Sequence, residues 1–254
     1  MTKIIRKISD WKNLREEFSN KNLSVGLVPT LGALHKGHEA LIKKALSQNE
    51  VTVVSIFLNP TQFNLKEDLT KYPKTLKKDL EIISALKVDY LFYPSVKEIY
   101  KDSYRYRVIE NDYSKILCGK FRPGHFEGVL TIVLKLFNII KPDKAYFGEK
   151  DFQQLQLIKG MVNAFFLDLK IISVPTIREK DGLAFSSRNI RLSKDERILA
   201  AEFPKILSSD LSLSQIKNQL KRKGFRVEYV EKIDSRKFAA VYIGNVRLID
   251  NVKL

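Results

Sequence analysis

Val28-Pro29-Thr30-Leu31-Gly32-Ala33-Leu34-His35-Lys36-Gly37-His38 is the stretch whose reading decides the fold. The apolar run Val25-Gly26-Leu27-Val28 that leads into it reads as a buried strand, broken by Pro29 and Gly32. Ala40, Leu41, Ala45 and Leu46 then recur at the three- and four-residue spacing of a helix. Two of the three histidines, His35 and His38, therefore stand where a loop enters a helix. A helix N-terminus carries unpaired N–H groups and a partial positive charge, which suits phosphate. Imidazoles there can donate to phosphate oxygens, and Gly37 between them lets a nucleotide approach the backbone. His-x-x-His alone fits a surface pair or half a metal site equally well. The strand, proline, two glycines and helix around it, in that order, favour anion binding, and no carboxylate or third histidine in the loop completes a metal set.

Outward from this stretch, Val51 to Leu58 is a β-branched run without clean alternation, as in a strand buried on both faces. Strand, helix and strand in that order imply a parallel βαβ unit. The second strand runs into Asn59-Pro60-Thr61-Gln62-Phe63, and ligands of open parallel sheets bind beyond the carboxyl ends of strands. Asn59 and Gln62 are neutral amides suited to a hydroxy acid; for Asn59 a turn role around Pro60 weighs equally. Upstream, Lys3-Ile4-Ile5 reads as a strand and Trp11 to Phe18 as a helix capped by Ser9 or Asp10, with Trp11, Leu14 and Phe18 in the core. Downstream, residues 64–82 read as a polar loop running into a helix through Asp79 to Leu86. Tyr90 to Tyr93 is a third strand stopped by Pro94, Ser95 to Lys101 a short helix or turn, and Tyr104 to Ile109 an alternating, strand-like piece.

Three further dense regions follow. Leu117 to Gly128 gathers three glycines, a proline, Arg122 and His125 in a functional loop, before a buried helix from Val129 to Ile140 that Pro142 ends. Lys144 to Gln154 is a short strand, a glycine and a charged turn opening a helix from Phe152 to Phe166. Lys150 there supplies a mobile charge for phosphates, and Asp151 either caps the helix or holds a ribose hydroxyl. Ile171 to Arg178 is a last strand, followed by Ser186-Ser187-Arg188, a candidate oxyanion clamp. Beyond Leu192 the texture changes to helices at Lys194–Leu207 and Leu213–Lys221. Short strands follow at Arg226–Tyr229, Ala239–Ile243 and Val246–Ile249, the last two joined by Gly244-Asn245. The expected architecture is α/β: a Rossmann-like parallel-sheet domain over residues 1–176 and a smaller α+β lid domain over 177–254.

The 254 residues, 44% hydrophobic, can bury a proper core, and no apolar run approaches a membrane span. Residues 1–7 lack the pattern of a signal peptide, and the single cysteine, Cys118, excludes an internal disulfide framework and suits a reducing cytoplasm. Net charge is +16, from 45 basic and 29 acidic residues, but the excess is mostly lysine spread along the chain. It argues weakly for anionic ligands and hardly at all for nucleic acid, which would want clustered arginine and exposed aromatics.

Taken together, PTLGALHKGH at 29–38, NPTQF at 59–63, KFRPGHFEGVLTIVLKLFNIIKPDKAYFGEKDFQQL at 120–155, DGLAFSSRN at 181–189 and VRLIDN at 246–251 resemble the pantothenate synthetase (pantoate–β-alanine ligase) family over nearly the whole chain. The His-x-Gly-His element alone is shared across the nucleotidyltransferase superfamily. The resemblance implies a cytoplasmic homodimer that takes ATP with Mg²⁺, pantoate and β-alanine, acts through a pantoyl adenylate, and needs neither nucleic acid nor membrane. It implies catalytic roles for His35, His38, Lys150, Ser186, Ser187 and Arg188. It implies ATP contacts at Thr30, Leu31, Gly37, His38, Gly148, Lys150, Asp151, Ile177, Ser186, Ser187 and Arg188. Gln62, Gln154, Asn59 and Arg122 match positions that bind the acid substrates, and Asp79 one near the metal. Leu31 and Phe185 stand where the family usually has methionine, and the chain is shorter than typical members between Leu207 and Phe225.

Overall fold

The computed structural model describes residues 2–64 and 66–254; Leu65, in the expected polar loop, lies outside the described residues. Six parallel strands form the larger sheet: β1 (Lys3–Ile5), β2 (Val25–Thr30), β3 (Val51–Ile56), β4 (Tyr90–Phe92), β5 (Lys144–Gly148) and β6 (Lys170–Val174), in the order β1-β4-β3-β2-β5-β6. The sequence steps outward from β2 through β3 to β4, then returns to the other side of β2 for β5 and β6. The strand order thus reverses between β2 and β5, and the crevice beyond their carboxyl ends is where such sheets bind ligands. The connecting helices are α1 (Ile8–Asn20), α2 (Lys36–Leu46), α3 (Lys66–Thr70), α4 (Leu76–Ala85), α5 (Val96–Ile99), α6 (Cys118–Phe121), α7 (His125–Ile140) and α8 (Phe152–Ala164).

The core follows the apolar pattern. β2 and β3 are buried along nearly their whole length, and α7 is buried over most of its surface because it packs between the sheet and α1 and α8. Trp11 is fully buried, and its indole N–H donates to the carbonyl of Ile140, one of the orphan acceptors at the end of α7. Lys141 then turns left-handed (φ +49°) ahead of Pro142.

A second, antiparallel sheet consists of β7 (Arg226–Ile233), β8 (Arg236–Ile243) and β9 (Val246–Lys253), with α9 (Lys194–Ala200), α10 (Glu202–Leu207) and α11 (Leu213–Arg222) beside it. Phe203, Phe225, Ile216, Leu220 and Val241 centre its own hydrophobic cluster. Tyr229, Phe238 and Ala240 instead join the main core, so this sheet is packed onto the parallel layer.

Several expectations are corrected. Pro29 does not break β2 but lies within it, paired with Ser55. The β2–β5 ladder runs only over Gly26 and Leu27, so at Pro29 the strand is flanked on one side alone, where a residue lacking an N–H is tolerated. Tyr104 to Ile109 is not a strand. Ser103 and Tyr104 are left-handed, and the Val108 N–H goes to the Thr131 hydroxyl rather than to a neighbouring strand. The helix expected from Val129 begins at His125. The helix expected over 194–207 is two helices, because Pro204 has no N–H to carry the ladder across the junction. β7 and β8 are longer than expected and meet in a tight turn at Asp234 (φ +50°).

Gly128 of α7 faces the loop after β3: a Cβ there would sit 2.5 Å from the Thr61 carbonyl oxygen and 2.7 Å from the Gln62 nitrogen. Gly128→Ala should therefore destabilise by about 1–3 kcal/mol through overpacking, against the gain of about 1 kcal/mol that alanine brings to a helix. Urea unfolding checks this; a stabilised variant would show that the loop yields freely.

Candidate active site

The site is built on the loop between β2 and α2. The Thr30 hydroxyl ends β2 by donating to the Ser55 carbonyl (2.8 Å) and accepting from the Gly32 N–H (3.1 Å). Gly32 and Ala33 are both left-handed (φ +83° and +52°), which turns the next amides inward. The N–H groups of Ala33 and Leu34 donate to the two oxygens of Asp79 at 3.0 and 2.8 Å, and the Thr75 hydroxyl adds a third bond at 3.2 Å. Asp79 is 1% exposed and does not line the cavity described below, so its carboxylate holds the loop instead of facing a metal.

His35 is the N-cap of α2. Its Nδ1 accepts from the Gly37 N–H (3.1 Å), and Nδ1 of His38 accepts from the His35 N–H (3.3 Å). With Nδ1 an acceptor in both rings, each neutral imidazole carries its proton on Nε2. Burial is the main cause that lowers His35 to about 2, with the charge of His38 and then Lys150 adding to it. Burial also lowers His38 to about 4, with Asp151 opposing and Lys150 assisting. Both rings are neutral Nε2–H donors at neutral pH. Gly37 lines the cavity and also makes room for an imidazole: a Cβ there would lie 2.9 Å from the His35 ring. Phe185 stacks on that ring (centroids 6.1 Å apart, interplanar angle 18°), a contact that its place in the sequence did not announce.

These residues line a cavity of about 240 Å³ beyond the ends of β2, β3 and β5. Thr30, Leu31, His35, Gly37 and His38 form one wall; Gly148, Lys150, Asp151 and Gln154 form another; Ile177, Ser186, Ser187 and Arg188 close it, and Asn59, Gln62 and Arg122 form its floor. Every expected site residue except Asp79 is thus brought to one space. A side chain at Gly148 would meet nothing within 4 Å, which leaves room for a ligand there. A second cavity, about 450 Å³, adjoins through Arg122, Lys150, Asp151, Ser186 and Arg188 and extends under the C-terminal sheet.

The amides divide by role. Asn59 is fully buried and spent: it donates to Gln62 Oε1 and the Gly128 carbonyl and accepts from Tyr100 and Thr61. It fixes Gln62, whose Nε2 is the donor left to offer. Arg122 donates to Nε2 of His125 (3.0 Å), and Nδ1 of His125 donates to the Gln62 carbonyl (2.8 Å), so the third histidine ties Arg122 to the Gln62 loop. Burial, then Arg188 and Arg247, lower Arg122 to about 10, and among the described residues no carboxylate lies within 4.0 Å of its guanidinium. A half-buried cation without a carboxylate partner, on a cavity wall, is suited to an anionic ligand.

Sequence reasoning missed the groups that orient the clamp. Tyr72 bonds the Ser187 hydroxyl (3.0 Å), and Asp68 pairs with Arg188 (2.7 Å) and Arg191 (3.1 Å). Burial raises Asp68, but Arg188, then Arg122 and Arg191, bring it below the usual carboxylate value. Both residues come from a polar segment whose pattern carries no signal for contacts more than a hundred residues away. Among the described residues no cluster of three His, Cys, Asp or Glu could hold a metal.

Neutral imidazole donors at a helix start, a lysine and two arginines around one cavity at the switch point of a parallel sheet define a Rossmann-like nucleotide-binding enzyme of the His-x-Gly-His type. The sequence profile described as Pantoate-beta-alanine ligase matches residues 3–253. The pantothenate synthetase of Bdellovibrio bacteriovorus is 51% identical over the whole of both chains, and that of Legionella pneumophila 50% identical over 99% of each. The crystal structure of pantoate-beta-alanine ligase from Francisella tularensis, complexed with beta-gamma ATP and beta-alanine, superposes with a TM-score of 0.95 at 45% identity, covering 100% of this chain and 98% of that one. Pantothenate synthetase from Thermus thermophilus gives 0.88 at 34% identity, covering 99% of each. The chain belongs to the pantoate–β-alanine ligase family. Its shortness between Leu207 and Phe225 is not a truncation relative to these relatives, whose whole length it spans.

Because His38 is held neutral when folded and takes up a proton when unfolded, its contribution is present above the ordinary histidine value of 6.5 and is lost as pH falls toward about 4. Near pH 5 wild type should lose up to about 1.4 kcal/mol per pH unit more than His38→Asn. Denaturation midpoints measured across pH check this, and parallel slopes would contradict the neutral assignment.

Proposed function

We propose that the chain condenses pantoate with β-alanine in two steps at this cavity, using ATP and releasing pyrophosphate and then AMP. In the first, a pantoate carboxylate oxygen attacks the α-phosphorus and the bond to the pyrophosphate oxygen breaks. In the second, the β-alanine nitrogen attacks the acyl carbon, loses a proton, and the carbon–oxygen bond to AMP breaks. The observation that carries this reading is the pair of histidines locked as Nε2–H donors in one cavity with Lys150, Arg188 and the amides of Gln62 and Gln154.

The first step concentrates charge on the phosphates, and fixed donors stabilise it without reorganising. His35 and His38 supply uncharged donors at the start of α2, while Lys150 and Arg188 neutralise from the other side and the hydroxyls of Ser186 and Ser187 donate there. Gly148 leaves space for the ribose, with Asp151 beside it. Thr30, Leu31, Gly37 and Ile177 shape the nucleotide side, the first three mainly through backbone. Gln62 and Gln154 hold pantoate, Asn59 sets Gln62, and Arg122 meets a substrate carboxylate. No side chain serves as covalent nucleophile, because the substrate carboxylate does; catalysis is positioning and charge neutralisation. The donor set does not fit a resident metal, so Mg²⁺ enters on the ATP phosphates as part of the substrate. The enzyme is read as a cytoplasmic homodimer in which residues 177–254 act as a lid over the body formed by 1–176.

Pyrophosphate release from ATP with pantoate alone, then AMP release on adding β-alanine, tests the two steps in turn. Pyrophosphate without subsequent AMP would leave only an adenylating activity, and no pantoate-dependent release would remove both. His38→Ala should cut the adenylation rate by at least roughly a hundredfold, the scale for losing one fixed donor. A folded variant with unchanged turnover would remove His38 from the reaction.

A further inference from the structure

Asn251 lies on β9, in the antiparallel sheet, yet its side-chain amide donates only to the turn that carries Lys150. Its Nδ2 donates to the carbonyls of Glu149 and Lys150, both at 2.9 Å. Its Oδ1 accepts from the Arg236 guanidinium, which leaves only one orientation for the amide. Arg236 in turn lies 4.0 Å over the Phe152 ring and 3.9 Å from the Glu149 carboxylate, so the other face of the turn is held as well. Asn251 is 4% exposed, and a buried side chain that satisfies two carbonyls is costly to replace. The turn it grips follows β5 directly and has only three residues, Glu149–Asp151, so a shift at the carbonyls is passed on to the Lys150 side chain.

We infer that Asn251 is a positioning residue for catalysis, holding Lys150 at the phosphate side of the cavity from the C-terminal sheet. The neighbouring residue does the corresponding work on the facing loop. Asp250, 4% exposed, takes two bonds from Arg178 (2.7 and 3.0 Å), and Arg178 also donates to the Gly182 carbonyl, at the base of the loop that carries Ser186 to Arg188. One dipeptide of β9 therefore fixes both cationic walls, so the second sheet is part of the catalytic frame as well as a cover. The inference rests on the reading of Lys150 as a phosphate ligand.

The test is pantoate-dependent exchange of pyrophosphate into ATP by the full chain. Asn251→Leu keeps the size and removes both donors; Asn251→Asp keeps the shape and the acceptor for Arg236 and likewise cannot donate. Both should lower the exchange rate roughly ten- to a hundredfold, the cost of a misplaced group, with the KM for pantoate within about twofold of wild type. In a Lys150→Ala background, Asn251→Asp should cost less than about a further twofold, because a residue acting through Lys150 has nothing left to position. Folded variants with wild-type exchange, a pantoate KM that rises as far as the rate falls, or full multiplication of the two effects would overturn the inference. If Lys150→Ala itself exchanges normally, the reading of Lys150 fails; if it is crippled while Asn251→Asp is not, this inference alone fails.

Discussion

The buried carboxylate of Asp79 is the constraint on which the rest of the site depends. Ala33 in a left-handed conformation is strained by about 1 kcal/mol or more, and the loop around it would not hold that shape unaided. Two backbone N–H groups, each donating to one oxygen of the same carboxylate, provide the compensation. With the loop fixed, α2 starts where it does, His35 becomes its N-cap, and the two imidazoles lock each other through the backbone. The tautomer of both rings is thus set by helix capping, before any ligand arrives.

Electrostatics makes the same choice. Placing two histidines beside Lys150 under burial suppresses their protonation, so the site separates the task of donating hydrogen bonds from that of carrying positive charge. The charge is left to Lys150, Arg188 and Arg122, whose side chains line the same cavity. The net charge of +16 says little about this: three cations face one cavity, while most of the lysines lie elsewhere.

The parts legible in the sequence are those whose meaning is local. Strand, break and helix around His35 and His38 need no distant partner, and the parallel sheet follows from apolar runs separated by helical patterns. The groups that hold the site in place were invisible because each acts on a residue far along the chain: Asp79 on Ala33, Tyr72 on Ser187, Asn251 on the Lys150 turn. A carboxylate in an amphipathic helix reads the same whether it faces solvent, a metal or a loop. Alternation misled at Tyr104 to Ile109 because half-burial is all that alternation encodes; without a neighbouring strand to pair with, the segment lies along α7 as irregular chain. The junction within 194–207 was readable, since Pro204 stands in the open, and was overridden by the apolar spacing around it.

The cavity is tied down unequally. On the β9 side the contacts are Asp250 with Arg178 and Asn251 with two carbonyls, both from residues 4% exposed. In the first of these the Asp250 side chain is 2% exposed and Arg178 30%, so the carboxylate is the buried end, and loss of the arginine would leave it unpaired at a high cost. On the α3 side, Asp68 with Arg188 and Arg191 is about a quarter exposed on each partner, so this carboxylate, unlike that of Asp250, is reached by water. Tyr72 adds one hydroxyl contact to Ser187. The free-energy difference between the two sides dictates where the cavity can yield. The turn of Lys150 and the base of the 177–189 loop are bonded to β9, while Arg188 is bonded to Asp68 of α3. That asymmetry suits a site that must accept a polyanion and then let pyrophosphate go: the carboxylate bonded to Arg178 is buried, and the one bonded to Arg188 is partly open to water.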